Sequence, residues 1–141
     1  MNTNFIAGAP DVVGVRSDRI RRRTPSRVNE LIDTKTSVSM KATLAGGRDA
    51  VIARLHRLDR ELDVDRVLMA WFAVSGSGFL AVGRRNRSAR YFGFAQTGFL
   101  LMHALVGWCP PLVVFRRLGF RTSREIAAER AALVEKLAGW H

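Results

Sequence analysis

Cysteine is almost absent from this 141-residue chain, which has only one. A single cysteine cannot form an intramolecular disulfide and leaves no Cys-x-x-Cys pair for a zinc or thioredoxin-type site. Acidic residues are also scarce, with 12 Asp and Glu against 23 Lys and Arg and a net charge of +11. This excess predicts a negatively charged partner surface, either nucleic acid or lipid headgroups. The length allows one domain.

The motifs of common enzymes are missing as well. The small-residue stretch Gly76-Ser77-Gly78 lacks the lysine and the strand of a phosphate-binding loop, and there is no G-x-S-x-G nucleophile elbow. The carboxylates of residues 59–65 lie on an otherwise basic segment, where we expect them to balance charge. We therefore expect no enzyme activity, no catalytic residue, no metal and no cofactor.

The first 45 residues have no sustained apolar periodicity. They are rich in Gly, Pro, Ser, Thr and Asn and carry six arginines between Arg16 and Arg27. This composition predicts a disordered basic arm over residues 1–45. It also lacks the apolar run of a secretory signal, so we expect the N-terminus to stay on the side where it is made.

An amphipathic helix is predicted over residues 46–66. Val51, Leu55, Leu58 and Leu62 recur at spacings of four, three and four, which places them on one stripe. Such a helix suits a membrane surface or a partner helix. The segment is equally compatible with a half-buried helix of a soluble bundle.

Two uncharged runs follow, over residues 67–83 and 91–109. As helices they would be about 25 and 28 Å long, close to a hydrocarbon core of about 30 Å. They predict a two-helix transmembrane hairpin, whose helices we expect to touch at the small residues 75–78. The alternative is a buried helical hairpin in a soluble protein.

Flanking residues predict how the hairpin is anchored. Trp71, Tyr91 and Trp108 are expected at the membrane interfaces, with Arg116 and Arg117 beyond the second helix. The flanks carry five and six basic residues and the connecting turn carries four, which favours both termini in the cytoplasm. The arginines of the turn either hold anionic headgroups of the far leaflet or indicate a hairpin that only dips into the membrane.

Residues 110–141 are predicted to form cytoplasmic tail helices. Pro110 fits the start of a short helix that ends near Leu118, and Gly119 would stop it. Thr122 and Glu125 form a capping box for a helix to about Ala138. The fold class is therefore all-α: a transmembrane hairpin flanked by amphipathic juxtamembrane helices, with a disordered N-terminal arm.

Residues 98–111, GFLLMHALVGWCPP, followed by residues 115–122, FRRLGFRT, resemble the YgaP-like transmembrane domain family. The resemblance covers roughly residues 54–135. It implies a two-helix hairpin in the bacterial inner membrane, without an assigned activity. In some relatives the hairpin anchors a rhodanese domain, but Cys109 is followed by two prolines, which supply no N–H groups for an anion-binding loop. Sulfur transfer is therefore not implied.

Three side chains are candidates for function. Cys109 would lie at the N-terminal end of the short helix, where a thiolate is favoured, although a buried free cysteine is usually inert. His103 and Gln96 are polar residues within an uncharged helix, seven positions apart on one face. Hydrogen bonds from them to Ser75 or Ser77 are the favoured interpretation.

These observations favour a small integral membrane protein with a structural or accessory role in a membrane assembly. Its expected partners are anionic lipid headgroups and either a membrane protein or further copies of the chain. A first alternative is an oligomeric hairpin that transports or senses a small solute or redox signal through Cys109 and His103. A second is a soluble nucleic-acid-binding protein that uses the basic arm; nucleic acid is the less favoured partner.

Overall fold

The computed structural model describes residues 15–140 and is all-helical over that range, which confirms the coarse fold class. The helices are α1 (Val15–Arg23), α2 (Ser26–Ala45), α3 (Gly47–Arg60), α4 (Val64–Gly83), α5 (Arg87–Val106), α6 (Pro110–Arg117) and α7 (Ser123–Ala138).

Helices α4 and α5 form an antiparallel pair joined by a short turn. Asp63 caps α4 by accepting a hydrogen bond from the N–H of Arg66, and Asn86 caps α5 by accepting one from Ser88. Helix α5 ends at Val106 because Gly107 adopts a left-handed conformation with a φ of 73°. The second uncharged run is therefore helical only as far as residue 106, and residues 107–109 form the link to α6.

The residues expected to be a disordered arm form two helices. Ile20 of α1 and Ile32 of α2 are buried, and buried apolar side chains hold the segment in place. The prediction of disorder is thus wrong for residues 15–45. Residues 1–14 lie outside the described part of the chain.

A bundle of α2, α3 and α7 has its own apolar core. Val51 and Leu58 of α3 pack with Ile126 and Leu133 of α7. The helix predicted over residues 46–66 is not continuous, because α3 ends at Arg60 and α4 begins at Val64. Leu62 lies in this break and is half exposed, so it does not extend the buried stripe.

A second core packs α1 and α6 against the base of the hairpin, at the start of α4 and the end of α5. Its buried members are Ile20, Val64, Leu68, Phe72, Cys109 and Leu112. The N–H of Val64 also donates to the carbonyl of Arg121, with an N–O distance of 2.8 Å. We call α1, α2, α3, α6 and α7 together the cap.

The predicted punctuation of the tail is confirmed. Pro110 opens α6, and Gly119 follows the helix with a φ of 93°. Thr122 and Glu125 form the reciprocal capping box at the start of α7, which ends at Ala138.

Candidate functional site

The hairpin exposes apolar side chains along its length. Val74 and Leu80 of α4 are 76% and 73% exposed, and Phe94 and Leu105 of α5 are 69% and 73% exposed. Across the short break between α3 and α4, residues 47–83 contain an 18-residue window that is long and apolar enough to cross a membrane, and only 11% of that window is buried. Helix α5 passes the same test only together with α6, from which it is bent by 82°.

The two helices of the hairpin touch through small and polar residues. Gln96 donates from its amide to the hydroxyl of Ser75 and to the carbonyl of Phe72, the latter at 3.2 Å. The predicted bond between Gln96 and Ser75 is thus confirmed. The helix backbones approach each other closely at Gly83, where an added Cβ would lie 3.2 Å from backbone atoms of Arg90.

Two of the four residues predicted to form the contact between the helices, Ser77 and Gly78, face away from α5. The hydroxyl of Ser77 donates to the carbonyl of Ala73 in its own helix, and a Cβ at Gly78 would meet nothing within 4 Å. The expectation that the helices touch across all of residues 75–78 is therefore wrong for residues 77 and 78. An α-helix turns about 100° per residue, so four consecutive residues cannot share one face.

The turn between α4 and α5 is strongly basic. Four arginines in this turn and in the first turn of α5, which we call the tip arginines, are all exposed: Arg84, Arg85, Arg87 and Arg90. Arg87 contacts Tyr91, with its guanidinium carbon 6.0 Å from the ring centre. Within residues 15–140 no acidic side chain forms an ion pair with a tip arginine.

The predicted interface residues divide between the two ends of the hairpin. Tyr91 lies beside the tip arginines and is 58% exposed. Trp71 and Trp108 lie toward the base, where the Trp71 ring is 6.1 Å from that of Phe115 and the Trp108 ring is 5.6 Å from the guanidinium of Arg23. Their placement at membrane interfaces stays a prediction.

Arg117 is exposed, but Arg116 is completely buried. Its guanidinium donates to both carboxylate oxygens of Glu125 at 2.7 and 2.9 Å and to Asn29 at 2.8 Å. Arg21 donates to the same carboxylate at 2.9 Å. The prediction that Arg116 anchors the chain at the membrane interface is wrong, because its charge is neutralised inside the cap.

A second ionic cluster joins α3 to α7. Glu129 is buried and accepts hydrogen bonds from Arg54, at 2.8 and 3.1 Å, and from Arg121. Arg121 also binds both carboxylate oxygens of Glu61 at 2.8 Å. A cleft of about 260 Å³ beside this cluster is lined by Lys35 and other polar side chains.

The central carboxylates of both clusters are held ionised. Burial raises the pKa of Glu125, but hydrogen bonds and the charge of Arg116 outweigh burial, and the net pKa lies below its ordinary value of 4.5. Burial likewise raises the pKa of Glu129, and Arg54 and Arg121 bring it below that value. The hydrogen bond with Asp33 raises the pKa of Arg21.

A third polar group lies at the base of the hairpin. His103 is 1% exposed, and its Nε2 lies 3.2 Å from Oδ1 of Asp65 at the start of α4. The two side chains are in close contact, but no hydrogen bond joins these two atoms. The predicted hydrogen bond from His103 to Ser75 or Ser77 is therefore wrong.

Cys109 completes this group. It is fully buried, lies beside His103 and precedes the first turn of α6. Sequence reasoning selected His103 and Cys109 but missed Asp65, which it had assigned to charge balance. The sequence places Asp65 at the polar start of an otherwise apolar helix. It does not indicate that its neighbour in the structure is His103, 38 positions away. Among the described residues no group of three or more His, Cys, Asp or Glu side chains is placed to hold a metal ion.

No protein family, curated protein or solved structure matches this chain.

Proposed function

We propose that this chain is an integral membrane protein of the bacterial inner membrane, in which α4 and α5 cross the bilayer and the cap lies on the cytoplasmic face with both termini. Its role is structural or accessory: the cap offers a folded surface to a membrane-protein partner or to further copies of the chain. Membership of the YgaP-like transmembrane domain family, to which residues 98–122 are similar, is part of this proposal.

The observation that supports the proposal most strongly is the contrast between hairpin and cap. The cap buries a core that includes Val51 and Leu133, both 0% exposed. The hairpin leaves large apolar side chains uncovered around both helices. An exposed apolar surface of this extent is typical of a chain that is solvated by lipid. Hydrogen bonding inside the hairpin by Gln96 is also expected for polar groups in lipid.

An alkaline carbonate wash of membranes that contain the chain tests this proposal. We expect the wild type to stay in the membrane pellet. A charge near the middle of the hairpin helix in Val74→Asp should lower retention, because an acid near the bilayer centre costs about 2.5–3.5 kcal/mol. The matched control is Val38→Asp, which places the same charge at an exposed apolar position of the cap. Release of the wild type would contradict the proposal.

Spanning and dipping hairpins are separated by the position of the tip. In a Cys109→Ser background, Arg85→Cys supplies a single thiol at the exposed turn. A membrane-impermeant thiol reagent added to the outside of intact spheroplasts should label it if the hairpin spans. Labelling only after the membrane is opened would show a tip that does not reach the far side.

The group of Asp65, His103 and Cys109 favours a second candidate function, a sensor of a redox signal. A thiol beside an imidazole that contacts a carboxylate resembles the arrangement of activated cysteines. Both His103 and Cys109 are buried within one chain, which does not support a pore shared between copies. If the chain has an accessory role, the variants Cys109→Ser and His103→Ala should assemble normally. If it is a redox sensor, the variants should also assemble, but they should lose the response to the redox signal.

The nucleic-acid alternative has less support. Arg21 of the basic segment is paired with Asp33 and Glu125, and Arg23 lies against Trp108. Retention on DNA that falls with added salt, in soluble protein without detergent, would favour it.

A further inference from the structure

One side of the hairpin carries a groove of about 330 Å³ between α4 and α5. Its walls are mostly apolar, with Phe72, Phe79 and Leu80 from α4 and Phe94 and Leu100 from α5. Gly76 and Gly93 have no side chain to fill the space between the helices. The groove runs along the hairpin from the tip toward the cap.

Two of the tip arginines, Arg84 and Arg90, line the end of this groove. Arg84 directly follows α4 and Arg90 lies in the first turn of α5, and the close approach of Gly83 to Arg90 brings them together. Neither forms an ion pair with an acidic residue of the described chain. An anion is therefore the complement that this end of the groove lacks.

The length of the groove fits one acyl chain. From Gly83 to Phe72 the helix rises about 16 Å, at 1.5 Å per residue, which is about half of a hydrocarbon core of 30 Å. This is the depth of a single leaflet. An occupant with its charge at the tip arginines and its apolar part along Phe94 and Leu100 would cover that depth.

We propose that this groove binds one anionic phospholipid, with the phosphate between Arg84 and Arg90 and an acyl chain along the groove. The proposal rests on the membrane placement proposed above. Bulk lipid tails are as apolar as the groove, so the acyl chain contributes only its fit to the groove. The charge of the headgroup contributes the preference for an anionic phospholipid.

A second copy of the chain is the competing occupant. Gln96 is one of the residues that line the groove, and its side-chain oxygen is buried and accepts no hydrogen bond from the described residues. A hydroxyl from another chain would supply that donor. This occupant would not need the arginines, whereas an anionic lipid does.

Native mass spectrometry of the detergent-solubilised full chain tests the proposal, with dioleoylphosphatidylglycerol and dioleoylphosphatidylcholine added separately. The wild type should retain one phosphatidylglycerol per chain in preference to phosphatidylcholine. In the double variant Arg84→Ala/Arg90→Ala this preference should fall about fivefold for each arginine. The matched control Arg85→Ala/Arg87→Ala removes the same charge from the same turn, outside the groove, and should keep the preference.

A second pair of variants tests the apolar part. Gly76→Leu fills the groove and should abolish the lipid adduct, whereas Gly78→Leu adds the same side chain where nothing lies within 4 Å and should keep it. Equal loss in both arginine variants, equal retention of the two lipids by the wild type, or a lipid-free dimer would overturn the proposal. The carbonate wash reports separately on membrane placement, so a retained chain without lipid preference overturns only the groove.

Discussion

Removing the charge of Glu125 should destabilise the cap more than any exposed charge change. This carboxylate accepts two hydrogen bonds from Arg116, at 2.7 and 2.9 Å, and one from Arg21 at 2.9 Å. In Glu125→Gln the side chain keeps its size, but Arg116 remains 0% exposed without a counter-ion. Breaking a buried pair in this way costs about 3–5 kcal/mol, because an uncompensated charge is left inside.

The control is Asp59→Asn. It removes the ion pair between Asp59 and Arg130, whose N–O distance is 3.0 Å but whose side chains are 51% and 52% exposed. An exposed pair contributes about 0–1 kcal/mol, since water solvates both charges in the absence of the partner.

Cys109 provides the assay, because it is the only thiol and is fully buried next to α6, the helix that carries Arg116. The rate of its labelling by a thiol reagent, in detergent and over a urea series, reports how often this region opens. A loss of 3 kcal/mol should raise that rate more than about a hundredfold, since 1.4 kcal/mol is a factor of ten. A Glu125→Gln rate within threefold of the Asp59→Asn rate would refute the reasoning.

Three further predictions follow from the same geometry. Glu125 and Glu129 have lowered pKa values, so the unfolded chain binds more protons than the folded chain below about pH 4.5. The free energy of unfolding should therefore fall as the pH drops through that range, and thermal unfolding in detergent at a series of pH values measures it. Gly83→Val should separate the hairpin helices and lower the free energy of unfolding by about 1–3 kcal/mol. Thermal unfolding in detergent measures this loss, and the control Gly78→Val should leave the stability unchanged. Gln96→Leu should lower the same stability by about 0.6–2 kcal/mol through loss of its interhelical hydrogen bonds.

Local sequence signals predicted the boundaries of α6 and α7 in the cap. Gly119 and the pair of Thr122 and Glu125 act on backbone groups within a few residues, so their effect is readable from the sequence. The two uncharged runs also predicted helices, because the absence of charge extends over a length that only a helix or a membrane segment uses.

Contacts between distant segments were not readable in this way. Arg116 looked like an exposed interface residue, and its burial depends on Asn29 and Glu125, which lie 87 and 9 positions away. Helices α1 and α2 were missed for the same reason. Their sequence has few apolar residues, and pairing of Arg21 with Asp33 and Glu125 contributes to holding them. The composition of the segment shows how many arginines it has, but not which acidic residues they pair with.

The pairing of charges changes what the arginine count means for orientation. The cap holds many of its arginines in ion pairs with Glu61, Glu125 and Glu129, whereas the four tip arginines have no acidic partner in the described chain. Translocation of membrane proteins is governed by Lys and Arg near the membrane helices and little by acids, so these ion pairs do not alter the proposed cytoplasmic placement of the cap. In the proposed spanning topology the tip arginines would oppose insertion while they cross the bilayer, and anionic headgroups on the far side would stabilise them afterwards. In that topology the four tip arginines would slow the insertion of the hairpin into the bilayer. They would slow its withdrawal even more, because withdrawal also breaks their contacts with the anionic headgroups.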